Sequence, residues 1–144
     1  MFYFGLLLAF AFVLLAIELG GSWLLFYNPP SLMLVLGCSL ALILASYGGK
    51  GFGLLFRAPF SRKLTPDEIQ RSIEVYKDFK VYLIASGILG VFIGAILILA
   101  NLRDPAALGP NLAVTLITAF YGIFFAYFIC HPVIAKLSEK PKSS

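Results

Sequence analysis

The stretch that decides the fold is Asn101-Leu102-Arg103-Asp104-Pro105-Ala106-Ala107-Leu108-Gly109-Pro110, a polar turn set between two long apolar runs. Residues 81–102 and 105–135 contain no Asp, Glu, Lys or Arg, and Arg103 and Asp104 of the turn are the only charges between them. A hydrocarbon core of roughly 30 Å takes about 20 helical residues, so the pattern predicts a transmembrane hairpin closing near His131-Pro132.

The same reading extends outward. Residues 1–17 and 19–49 are also free of these charges, and 60% of the 144 residues are hydrophobic against 12% charged. A soluble domain has too little surface to hide that much apolar material. The fold class is therefore all-α integral membrane, with four transmembrane helices at about 2–21, 30–48, 81–101 and 111–131, in a single membrane domain spanning 1–144. The N-terminal run lacks the basic flank and small-residue cleavage pattern of a signal peptide, and is read as a span.

Lys50, Arg57, Arg62, Lys63, Arg71, Lys77 and Lys80 lie in the connection 49–80, and Lys136, Lys140 and Lys142 in the tail 132–144; only Arg103 lies elsewhere. By the positive-inside rule the central connection, the tail and both termini are cytoplasmic. The net charge of +4 is thus a topology signal, with no nucleic-acid partner implied. Cys38 and Cys130 both fall in apolar spans and read as small packing residues.

Within the connections, Gly20-Gly21 ends one helix and Pro29-Pro30-Ser31 starts the next, with Trp23 and Tyr27 suited to the headgroup region. Gly48 to Gly53 reads as flexible, and Phe52, Leu54, Leu55, Phe56 and Phe60 among basic residues as a segment along the inner leaflet. Thr65-Pro66-Asp67-Glu68 is a capping box with proline at the first helical position. No proline follows before Asn101, so the third helix is expected to extend several turns into the cytoplasm, with Ile69, Ile73, Tyr76 and Lys80 along one face.

Gly87, Gly90 and Gly94 in the third span permit close backbone approach, either to the fourth helix or to a neighbouring subunit. Thr115, Thr118 and Gly122 share one face of the fourth span, where each hydroxyl can satisfy its own helix or line a narrow hydrated path. These six residues form the candidate pore or subunit-interface face, and Pro132 the candidate helix-end hinge. Glu18 is the only carboxylate within a span, close enough to the Gly20-Gly21 break to reach the outer headgroups. No metal-binding, cofactor-binding or catalytic motif is present, so no enzyme activity is expected.

The stretch Leu99 to Val114 resembles the turn between the third and fourth helices of the MotA family of flagellar stator subunits, part of the wider MotA/TolQ/ExbB family. Ala119-Phe120-Tyr121-Gly122 with Pro132 to Leu137 is similar to that family's fourth helix and exit, and Pro30 to Gly37 to the start of its second helix. The resemblance implies a bacterial inner-membrane ring, a pentamer, around a MotB- or ExbD-like single-span partner that brings the ion-binding aspartate. If the ring conducts, protons are the expected ion, since they need only a hydrated path and a titrating partner carboxylate.

The departures are specific. The large insertion that the family carries between its second and third helices is reduced here to residues 49–80. Ile84 stands at a family proline, Val91 at the third-helix threonine of sodium-type members, and Ala119 at the fourth-helix threonine. A desolvated sodium ion needs oxygen ligands that these residues do not supply. Two other readings follow from the residues: a non-conducting membrane scaffold with a degenerate MotA fold, and a small four-helix exporter that couples through Glu18 at mid-membrane.

Overall fold

The computed structural model describes residues 1–140; residues 141–144 of the tail, with Lys142, lie outside the described residues. Four helices are long and apolar enough to cross a membrane: α1 (Phe2–Gly20), α2 (Pro29–Arg57), α3 (Pro66–Ala100) and α4 (Pro105–Ser138). They run up, down, up and down, joined at one end by a 3₁₀ turn (Trp23–Phe26) and the 101–104 turn.

The starts of α2, α3 and α4 each have a local cause. Asn28 Oδ1 accepts the Ser31 N–H at 3.0 Å, ahead of two prolines whose missing N–H groups fall where no helical bond is made. Thr65 and Glu68 form the reciprocal capping box read from the sequence, at 3.2 and 3.0 Å. Asp104 Oδ1 accepts the Ala106 N–H at 3.1 Å, so α4 begins at Pro105 and not near 111. Pro110 is carried inside that helix. It takes a donor from the Ala106 carbonyl, whose residue is exposed so that other donors can serve it.

Two expectations about helix ends are corrected. The flexible Gly48–Gly53 segment is helical: α2 kinks at Gly48 (φ 64°, ψ −172°) and resumes to Arg57. Gly51, Leu54, Leu55 and Ala58 are buried, and the Tyr76 hydroxyl donates to the Leu55 carbonyl. Packing on α3 thus outweighs the helix-averse glycines. Phe56 and Phe60 remain exposed on the outer side.

Nor does α4 end at His131-Pro132. It runs on to Ser138 through a π turn at Phe125–Cys130, and the His131 N–H bonds the Ala126 carbonyl five residues back. Pro132 has no N–H to give the Phe128 carbonyl, and the π turn lies directly upstream of that missing bond. Pro132 therefore lies inside a continuous helix and not at a helix end.

The core lies between α2, α3 and α4. Ile73, Val75, Tyr76 and Leu83 of α3 meet Val35, Ile43 and Leu55 of α2 and Ala126, Cys130 and Leu137 of α4. The first turns of α3 are amphipathic as read: Ile73 and Tyr76 are buried while Arg71, Glu74 and Lys77 are exposed. Burial pushes the Tyr76 phenol above its ordinary range, which keeps it a donor to Leu55. By contrast α1 buries no residue, and touches α4 through an edge-on pair, Phe10 and Phe124, 5.2 Å between ring centres.

Candidate functional site: the glycine–threonine seam

The six candidate residues come together, and they do so within one chain. An ideal Cβ on Gly87 would stand 3.2 Å from Gly122 Cα, and one on Gly122 would stand 2.7 Å from the Leu83 carbonyl oxygen. The same atom on Gly90 would fall 2.1 Å from Thr118 Cγ2, and on Gly94 2.0 Å from Thr115 Oγ1. The glycines of α3 are sockets for the threonines of α4, and Gly87 and Gly122 bring the two backbones into direct contact.

The threonine hydroxyls point into the protomer. Thr115 and Thr118 are 4% and 3% exposed, so the hydroxyl face expected from the sequence is spent on this seam. Thr115 donates to the Asn111 carbonyl at 2.8 Å. Thr118 Oγ1 lies 2.8 Å from both the Val114 carbonyl and the Ser31 hydroxyl, and shares its one proton between these two acceptors.

Ser31 begins a file of polar pairs that the sequence reading did not assemble. Toward the turn end, Tyr121 Oη accepts the Asn28 N–H at 3.0 Å and donates to the Phe26 carbonyl. In the other direction Ser39 meets Ser86 at 3.3 Å and gives its proton to the Val35 carbonyl at 2.6 Å. Next come Ser46 with Tyr82 at 3.0 Å and Tyr47 with Asp78 at 2.6 Å. The file stitches α2 to the α3–α4 hairpin along its length. Its sequence signal was the scatter of small hydroxyl residues in otherwise apolar spans, each of which needs a partner away from water.

A π turn at Met33–Gly37 interrupts α2 beside this file, and Cys38 N–H bonds both the Leu34 and Val35 carbonyls. The Val35 carbonyl it shares is also the acceptor of Ser39. A second π turn, Phe125–Cys130, lies in α4.

The outward faces of the hairpin are largely apolar. Ile88, Leu89, Phe92 and Ile96 of α3 and Leu116 and Ile123 of α4 are exposed, and Tyr127 of α4, with the Lys80 ammonium over its ring, adds an exposed phenol hydroxyl. Glu18 is exposed two residues from the end of α1, away from the seam. That position does not fit a coupling carboxylate in a mid-membrane cavity. Cys38 is exposed and Cys130 buried, both as free thiols. Among the described residues no group of three or more His, Cys, Asp or Glu side chains is placed to hold a metal ion.

These features define a multi-pass helical membrane protein built on a tightly closed hairpin of its last two spans. Residues 58–144 match the MotA/TolQ/ExbB proton channel family, and the chain belongs to that family. Among its relatives, YtxD of Bacillus subtilis is 46% identical over 59 residues, covering 41% of this chain and 22% of YtxD. Chemotaxis protein PomA of Vibrio alginolyticus is 25% identical over 198 aligned positions, covering 93% of this chain and 78% of PomA. Motility protein A of Aquifex aeolicus is 38% identical over 73 residues, covering 51% of this chain and 29% of the relative. The matched part thus spans well under two thirds of YtxD and of the Aquifex protein.

Proposed function

We propose that this chain is the multi-span subunit of a stator-type, ion-driven complex in a bacterial inner membrane. It assembles as a homo-pentamer around a MotB- or ExbD-like single-span partner, with both termini and residues 49–80 on the cytoplasmic side. The observation that carries the reading is a combination: a hairpin of this ion-channel family whose exposed span faces offer no carboxylate and no serine or threonine hydroxyl. A conducting path along such faces needs a titrating group from another chain, and a single-span partner with a membrane-embedded aspartate supplies one.

In this reading Gly87, Gly90, Gly94, Thr115, Thr118 and Gly122 act from behind the pore. They fix the α3–α4 hairpin so that its apolar faces lie against the neighbouring subunits and the central axis. Pro132 and the π turn before it set the direction in which α4 leaves the membrane. Protons are the transported ion, because Ile84, Val91 and Ala119 offer no oxygen to a desolvated sodium.

The test is flux. The chain co-reconstituted with its single-span partner is expected to acidify liposomes under an imposed inside-negative potential, and replacing the partner's membrane aspartate by asparagine is expected to abolish this. Sodium-dependent flux indifferent to pH would contradict it. One observation favours a second reading, a non-conducting scaffold: both threonine hydroxyls are consumed inside the protomer. Ring assembly with no flux of either ion would establish that alternative.

A further inference from the structure

An apolar cavity lies away from the seam, at the end of the bundle where Lys136 sits. It holds about 490 Å³ between α1, both halves of α2, α3 and α4. Leu6, Leu36, Leu40, Leu55, Phe79 and Phe125 line it, an almost wholly apolar wall. That volume is within the roughly 300–1,000 Å³ typical of ligand sites. Because α1 buries no side chain, this wall is closed only loosely on one side.

The mouth has the opposite character. Tyr3, Pro59, Phe60 and Lys136 border both this cavity and an adjoining cleft of about 560 Å³, to which Arg62 and Lys140 also belong. No acidic residue lines either space. Lys136 Nζ donates to the Tyr3 hydroxyl and, at 3.3 Å, to the Pro59 carbonyl, while Lys140 Nζ donates to the Ser61 carbonyl at 2.8 Å. Among the described residues the one ion pair is Arg57–Glu68, so both ammonium groups face neutral partners only.

We propose that this cleft is a site for one anionic glycerophospholipid, with an acyl chain in the cavity and the phosphate held by Lys136 and Lys140. The cavity and the cleft set an apolar slot and a positive charge with no acidic lining in continuous succession, which is the chemistry of such a molecule. Basic pockets between membrane helices on the lysine-rich side bind anionic headgroups for the same electrostatic reason. The inference needs only a membrane-embedded chain and does not rest on the stator reading.

The experiment is native mass spectrometry of the detergent-purified full chain titrated with dioleoylphosphatidylglycerol or dioleoylphosphatidylcholine. One tightly held phosphatidylglycerol per protomer is expected, preferred by about thirtyfold, the scale that two lysines near a lipid surface supply. The double variant Lys136→Gln/Lys140→Gln should keep its far-UV circular dichroism and lose that preference. Equal retention of the two lipids by the parent chain would overturn the proposal, whatever the variant does. Displacement of the bound lipid by glycerol phosphate would also overturn it, since the acyl chain would then contribute nothing.

Discussion

Replacing Gly90 by alanine probes the seam most sharply. The new methyl would lie 2.1 Å from Thr118 Cγ2, 3.1 Å from Thr118 Cβ and 3.2 Å from Leu34 Cδ2. Non-bonded carbons rest at about 3.5–4.0 Å, so either α3 and α4 part locally or Thr118 changes rotamer. Parting the helices loosens the neighbouring Gly87–Gly122 contact, and turning Thr118 pulls its hydroxyl from Ser31. Overpacking costs about 1–3 kcal/mol and an interhelical hydrogen bond in a membrane protein about 0.6 kcal/mol, so a loss of about 2–3 kcal/mol is expected. Thr118→Ala alone, which removes the hydroxyl pair and one methyl, should cost about 1–2 kcal/mol. In the double variant the worst contact is gone, and the two losses should fall short of additivity by about 1 kcal/mol or more. The assay is unfolding of the detergent-solubilised protein by sodium dodecyl sulfate, followed by circular dichroism. A Gly90→Ala variant as stable as the parent, or a strictly additive double variant, would refute the interlocked seam.

Gly122→Ala should be worse than Gly90→Ala and should not be rescued by Thr118→Ala, because its Cβ meets backbone, 2.7 Å from the Leu83 carbonyl oxygen; the same unfolding assay decides. Tyr76→Phe removes the bond to the Leu55 carbonyl and should cost about 1 kcal/mol, read as faster amide exchange confined to residues 49–57. Uniform acceleration through the apolar spans would contradict that local role. Glu18→Gln should leave flux and assembly unchanged, since Glu18 is exposed near the end of α1. Loss of flux on that change would revive the exporter reading.

Much of this architecture was legible because its signals are local or periodic. The charge-free runs placed the four spans, and the Thr65–Glu68 box marked the start of α3. What the sequence concealed was tertiary. Glycines 48–53 look like a hinge, yet burial of Leu54 and Leu55 and the Tyr76 bond hold a helix there. His131-Pro132 looks like a terminus, yet the π turn carries the chain past it.

The candidate site was harder to read for a deeper reason. In a membrane helix the lipid-facing and protein-facing sides are equally apolar, so periodicity cannot say which side meets a neighbour. Gly87, Gly90 and Gly94 and the two threonines were visible as a set, but their mutual fit inside one chain emerges only from the coordinates. Ser31, Ser39 and Ser86 were visible singly, and their pairing depends on the crossing of α2 over the hairpin.

The central claim is that this hairpin builds a ring around a second protein. The most direct measurement is the subunit count, by native mass spectrometry, of the complex drawn from its own membrane into nanodiscs. Five copies of this chain with a smaller single-span protein are expected. A monomer or dimer with no such companion would contradict the stator assignment and leave the family fold serving another purpose.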